Sequence, residues 1–119
     1  MKLLTTSIRE QLLRNGRIQQ ALAVAGDKDA DFVPVVKLFT PDAACTWLLT
    51  ELDPEEPDIA FGLCDLGFGC PELGSVRISE IESIRGRLGL PVERDLHFNP
   101  DKTLSAYADE ARACGHIAA

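Results

Sequence analysis

Glu93-Arg94-Asp95-Leu96-His97 places two carboxylates, a guanidinium and an imidazole within one short stretch. If this piece is extended, Glu93, Asp95 and His97 project to one side, while Arg94, Leu96 and Phe98 take the other. Two carboxylates and an imidazole on one side have the chemistry to bind a divalent cation or to act as an acid/base set. The structural alternative uses Arg94. Its planar fork suits bidentate pairing with Glu93, Asp95 or a more distant carboxylate, which would pin an irregular segment.

The second candidate is the acidic turn Asp53-Pro54-Glu55-Glu56-Pro57-Asp58, with Glu51 just before it. It lacks the D-x-D-x-D-G spacing of a calcium loop, and two prolines stiffen it. Either it is a solvated hairpin tip that discourages edge-to-edge aggregation, or Glu51, Asp53, Glu55 and Glu56 form an anionic epitope for a basic protein surface. Cys45, Cys64, Cys70 and Cys114 show no C-x-x-C pair, and Cys64 and Cys70 lack the paired spacing of a zinc site. They read as reduced, mostly buried small apolar residues. Trp47 reads as core, and His116 as exposed and idle. Arg77, Arg85, Arg87 and Arg94 form a modest basic cluster that either answers the central acids or contacts phosphate. No P-loop, G-x-G-x-x-G, G-x-S-x-G or H-E-x-x-H motif occurs. No metal site, cofactor or catalytic residue is assigned.

These residues must be positioned by a small set of elements. Thr5-Thr6-Ser7 offers three possible caps, with Ser7 and Glu10 fitting an S-x-x-E capping box, for a helix over roughly residues 6–14 with Asn15-Gly16 as its stop. A weaker helical run, Arg17 to Ala25, follows and ends at Gly26. Phe32 to Thr40, Cys45 to Leu52, Ile59 to Asp65 and Val76 to Ile78 read as strands. Alternation predicts a hairpin centred on Glu55 and Glu56. In it Leu48 faces Leu63, Thr50 faces Phe61 and Leu52 faces Ile59. On the other face Trp47 meets Cys64, Leu49 meets Gly62 and Glu51 meets Ala60. Ser79-Glu80-Ile81-Glu82 is a second capping box, opening a short helix that stops at Gly86. The Gly89 to Pro100 stretch is extended or irregular, and Thr103 to Cys114 is helical. The expected fold is α+β: a mostly antiparallel sheet of about four strands, an N-terminal helix, a short helix after the third strand and a C-terminal helix.

Composition sets outer bounds. At 119 residues the chain suits one domain with its own core. No apolar run approaches the ~18 residues of a membrane span. The segment Met1 to Thr6 is too short an apolar stretch for a secretory signal, so a cytoplasmic location is expected. The net charge is −7, and it is uneven. Between Leu38 and Val76 lie eight acids and no Lys or Arg, whereas the rest of the chain carries 11 acids and 12 bases. Such a region repels phosphate backbones and favours basic partners, so direct nucleic-acid binding through the sheet is not expected.

Several stretches together carry a resemblance: Leu3-Leu4-Thr5, Lys37-Leu38-Phe39-Thr40-Pro41, Thr46-Trp47, Glu51-Leu52-Asp53-Pro54, Phe61-Gly62-Leu63, Glu82-Ser83-Ile84-Arg85 and Gly89-Leu90-Pro91-Val92-Glu93-Arg94-Asp95-Leu96-His97-Phe98. In this order they resemble domain-of-unknown-function family 2958, small proteins of bacterial plasmids and other mobile elements, over most of residues 3 to 104. The resemblance implies no activity. It implies a context of mobile elements, where related domains accompany antirestriction-type modules, and hence an accessory or counter-defence role. The leading expectation is a non-enzymatic interaction module whose acidic sheet or turn meets a basic surface. The rival is a metal-dependent or acid/base enzyme built on Glu93, Asp95 and His97, with Glu51 as a further carboxylate. A homodimer formed through an exposed sheet edge or face is a third expectation.

Overall fold

The computed structural model describes residues 3–119, so Met1 and Lys2, part of the segment read against a secretory signal, lie outside the described residues. Helix α1 (Thr6–Ala25) runs unbroken through Asn15-Gly16, where the sequence predicts a stop. Of the three candidate caps it uses Thr5, whose side chain accepts from Ile8 N at 3.1 Å, and not the Ser7–Glu10 box. It ends at Gly26 in the left-handed region (φ 74°).

Asn15 and Gly16 are helical because the sheet needs them there. Strand β2 (Thr46–Leu52) pairs with β3 (Ile59–Asp65), and the register follows the expected Trp47–Cys64, Leu48–Leu63 and Leu49–Gly62 partners. It then slips at Thr50, so that Glu51 meets Phe61 and Leu52 meets Ala60. This bulge corrects the expected Thr50–Phe61, Leu52–Ile59 and Glu51–Ala60 pairings. An extra residue in one strand exchanges the faces beyond it. Leu52 therefore joins Trp47 and Leu49 in the core beneath α1, and Leu48 packs in a separate cluster on the opposite face. The carbonyl of Thr50 at the bulge accepts from the buried Asn15 Nδ2 at 2.9 Å. Gly16 lets α1 approach closely enough for that bond: a Cβ there would lie 1.8 Å from the Leu52 carbonyl oxygen.

The sheet has five strands rather than four, all antiparallel, in the order β4-β3-β2-β1-β5. Strand β1 (Val36–Phe39) is shorter than the expected Phe32–Thr40 run. Strand β4 (Glu72–Arg77) begins before the expected Val76, and Ile78 opens helix α2 (Ile78–Ser83) instead of closing the strand. The added strand β5 (Glu93–Arg94) covers only part of the segment expected to be extended; Leu96 and His97 form a turn. Helix α3 (Leu104–Cys114) matches its expectation within a residue.

Two cores flank the sheet. One joins α1 and α2 to Val36, Leu38, Trp47, Leu49 and Ala60; the other joins Leu104, Tyr107, Ala108 and Ala111 of α3 to Leu48 and Leu63. Both faces are thus covered by helix, which explains the near-continuous apolar run of β2. Neither short helix is capped by its own N-terminal side chain. Asp58 accepts from Ser79 N and Ser79 Oγ at the start of α2, and Asp31 accepts from Ser105 N and Ser105 Oγ at the start of α3. The Ser79–Glu82 capping box is replaced by a carboxylate from another segment, which satisfies the same exposed N–H groups.

Candidate functional site

The acidic residues of the central region separate into four groups. Asp42 and Asp65 hold loops. Asp42 Oδ2 accepts from Leu88 N at 2.7 Å, and buried Asp65 accepts from Gly67 N at 2.9 Å and Ile117 N at 3.0 Å. Glu56 and Asp58 pair with Arg77 at 3.0 and 3.6 Å. Glu72 is exposed on β4. Glu51, Asp53 and Glu55 remain, and among the described residues none of them forms an ion pair. The anionic epitope is therefore narrower than the sequence suggests: Glu56, expected within it, faces Arg77 instead.

Those three carboxylates line one groove. It lies between the second half of α1 and the tip of the β2–β3 hairpin, with a volume of about 410 Å³, and Asp29 from the α1–β1 connection joins them. A neighbouring recess of about 300 Å³ shares Gln19, Asp29, Glu51 and Phe61 with it and adds Asp31. Among the described residues no Lys or Arg lines either. The turn is preorganised: Asp53 Oδ1 accepts from Glu55 N at 2.9 Å, and Asp53 N donates to Ile59 O at 2.9 Å. Gln20 Nε2 donates to Glu55 Oε1 at 3.2 Å.

Glu51 is the half-buried member. Burial pushes its carboxyl above the usual glutamate range, hydrogen bonds from Gln19 and Thr50 work against that, and nearby Asp29 adds to it. Gln19 Nε2 reaches Glu51 Oε1 at 3.2 Å and Ala30 O at 2.8 Å, while Gln19 Oε1 accepts from Ala30 N at 2.9 Å. One amide thus ties helix, loop and groove together. Gln19, Gln20 and Asp29 were invisible to motif reading, because only the unbroken α1 carries the two glutamines to the hairpin tip, and Asp29 arrives on the connection that follows it.

The Glu93–His97 stretch has a different geometry. Asp95 pairs with Lys37 at 3.4 Å and accepts from His97 N at 2.8 Å; that backbone bond chiefly, with Lys37, holds its carboxyl below the usual range. Arg94 Nη1 donates to Leu3 O at 2.7 Å. Glu93 lines a cavity of about 420 Å³ with Glu82, Arg85 and Val92, and neither Asp95 nor His97 is among its walls. The three side chains proposed as a set are thus not gathered into one cleft. Among the described residues no group of three or more His, Cys, Asp or Glu is placed to hold a metal ion. Arg94 instead meets Arg9, Thr5 and Thr6 around a cavity of about 570 Å³ at the start of α1.

The cysteines divide evenly. Cys45 and Cys64 are half-buried, with burial raising both thiols, that of Cys64 to about 11. Cys70 and Cys114 are exposed, against the expectation of burial.

An antiparallel five-stranded sheet with α1 and α2 on one face and α3 on the other defines an α+β protein with an acidic groove at its hairpin tip. The chain belongs to the family described as "Protein of unknown function (DUF2958)", whose model matches residues 3–118. No curated protein and no solved structure matches it. Among the described residues no helix is long and apolar enough to cross a membrane.

Proposed function

We propose that this protein is a non-enzymatic interaction module that receives a basic segment of another protein in the groove formed by Asp29, Glu51, Asp53 and Glu55. The observation that carries this reading is that, among the described residues, Glu51, Asp53 and Glu55 form no ion pair and no Lys or Arg lines their groove. A half-buried carboxylate such as Glu51 is costly to keep, and an arriving guanidinium or ammonium group repays that cost through a charge-assisted hydrogen bond. Phe61 and Pro54 in the same walls offer apolar surface for the stem of a long cationic side chain. Phosphate backbones are repelled from this groove, so the partner is a protein surface. The mobile-element setting that the resemblance implies would make a cytoplasmic accessory role, such as counter-defence, the context in which that partner is sought.

Titration of isotopically labelled protein with an oligoarginine peptide, followed by amide chemical shifts, tests the reading. Shifts concentrated at Gln19, Asp29 and the Glu51–Glu55 amides support it. Shifts spread evenly over exposed acids such as Glu72, Glu82 and Asp109 overturn it.

A further inference from the structure

We infer that Cys70 and Cys114 form a reversible intramolecular disulfide that locks α3 to the β3–β4 connection. Both thiols are exposed and unbonded, while Cys45 and Cys64 are sheltered. Their segments lie against each other: a Cβ built on Gly115 would sit 4.0 Å from the carbonyl oxygen of Gly69. These two glycines are the immediate neighbours of Cys114 and Cys70. The same buried carboxylate anchors both segments, since Asp65 accepts from Gly67 N of the loop and from Ile117 N beyond α3.

Chain geometry then bounds the Cα separation of the two cysteines at about 12 Å. A disulfide needs roughly 4.4–6.8 Å. Whatever remains of that gap falls to the exposed Phe68–Cys70 tip, which lies beyond the Gly67 N that Asp65 holds.

The oxidant required is a peroxide. One thiolate attacks the peroxide O–O bond to give a sulfenic acid and release water. The second thiolate displaces the sulfenic oxygen as a further water, so two thiols and one peroxide give one disulfide and two waters. A dithiol reverses the step by exchange. The product fastens the end of α3, whose Leu104, Tyr107 and Ala111 cover Leu48 and Leu63 of the sheet.

The test treats dilute reduced protein with one equivalent of hydrogen peroxide. The inference expects an intact-mass loss of about 2 Da, a cross-linked peptide joining Cys70 to Cys114, and two thiols still titratable. The melting temperature is expected to rise by roughly 5–15 °C and return on adding dithiothreitol. Cys114→Ser abolishes the mass loss and the thermal shift, whereas Cys64→Ala leaves the cross-link in place. Covalent dimers as the main product, over-oxidation to sulfinic acid without cross-linking, or the same mass loss in Cys114→Ser would each overturn it.

Discussion

Replacing Gly16 with alanine sets helix propensity against packing, and the structure decides the sign. In a solvated helix the change favours folding by about 1 kcal/mol. Here the new Cβ would lie 1.8 Å from Leu52 O and 3.3 Å from Pro54 Cδ. Restoring ordinary contact requires α1 to retreat by about 1.4 Å, since non-bonded heavy atoms want more than ~3 Å. That retreat stretches the 2.9 Å bond from Asn15 Nδ2 to Thr50 O beyond hydrogen-bonding range. A buried carbonyl left without a donor costs about 1–3 kcal/mol, and loosened packing around Leu12 adds about 1–2 kcal/mol. Less the propensity gain, these costs leave a net loss for Gly16→Ala of about 1–4 kcal/mol, centred on about 2–3 kcal/mol. For a chain of 119 residues each kcal/mol moves the midpoint by about 4 °C, so the melting temperature should fall by about 8–12 °C. Ala21→Gly, at an exposed position of the same helix, is the control and should lose only about 1 kcal/mol. Calorimetry on both variants is the assay. A Gly16→Ala protein as stable as the parent, or more so, would refute the close-approach argument.

Two further outcomes are expected. Asp65→Ala leaves the amides of Gly67 and Ile117 without acceptors, so it should cost about 2–4 kcal/mol in urea unfolding and speed hydrogen exchange at Ile117; an unchanged midpoint would contradict that role. Burial holds the folded-state pKa of Glu51 above its unfolded value, so the folded chain binds that proton more tightly and stability falls as pH rises between the two. Glu51→Gln should therefore be more stable than the parent at neutral pH and equal to it once pH is below the ordinary glutamate range; a gain appearing only in acid would reverse the sign.

Much of the fold was legible in the sequence, and the failures have a common physical cause. The Trp47–Cys64 and Leu48–Leu63 pairings followed from alternation because nothing interrupts the ladder there. The register beyond Thr50 did not, because the bulge is stabilised by Asn15 from a distant helix. Asn15-Gly16 carries the local chemistry of a helix end, yet here it supplies a side-chain donor and a close approach. Likewise the two S-x-x-E boxes are sound local motifs, but α1 begins earlier, capped by Thr5 at Ile8 N, and Asp58 from another segment takes Ser79 N. The acidic hairpin tip was visible as charge. Its division into Arg77-paired and unpaired carboxylates depends on β4 lying beside β3, which no spacing rule encodes.

The central claim concerns position rather than total charge, and one affinity comparison isolates it. Oligoarginine binding is measured by calorimetry for the parent, for Glu51→Gln/Asp53→Asn/Glu55→Gln, and for Glu72→Gln/Glu82→Gln/Asp109→Asn, which removes equal charge elsewhere. The groove variant is expected to lose about tenfold or more in affinity and most of the salt dependence, with the distal variant close to the parent. Equal losses in the two variants would show that the peptide senses only net charge, and the groove would have no claim to being a docking site.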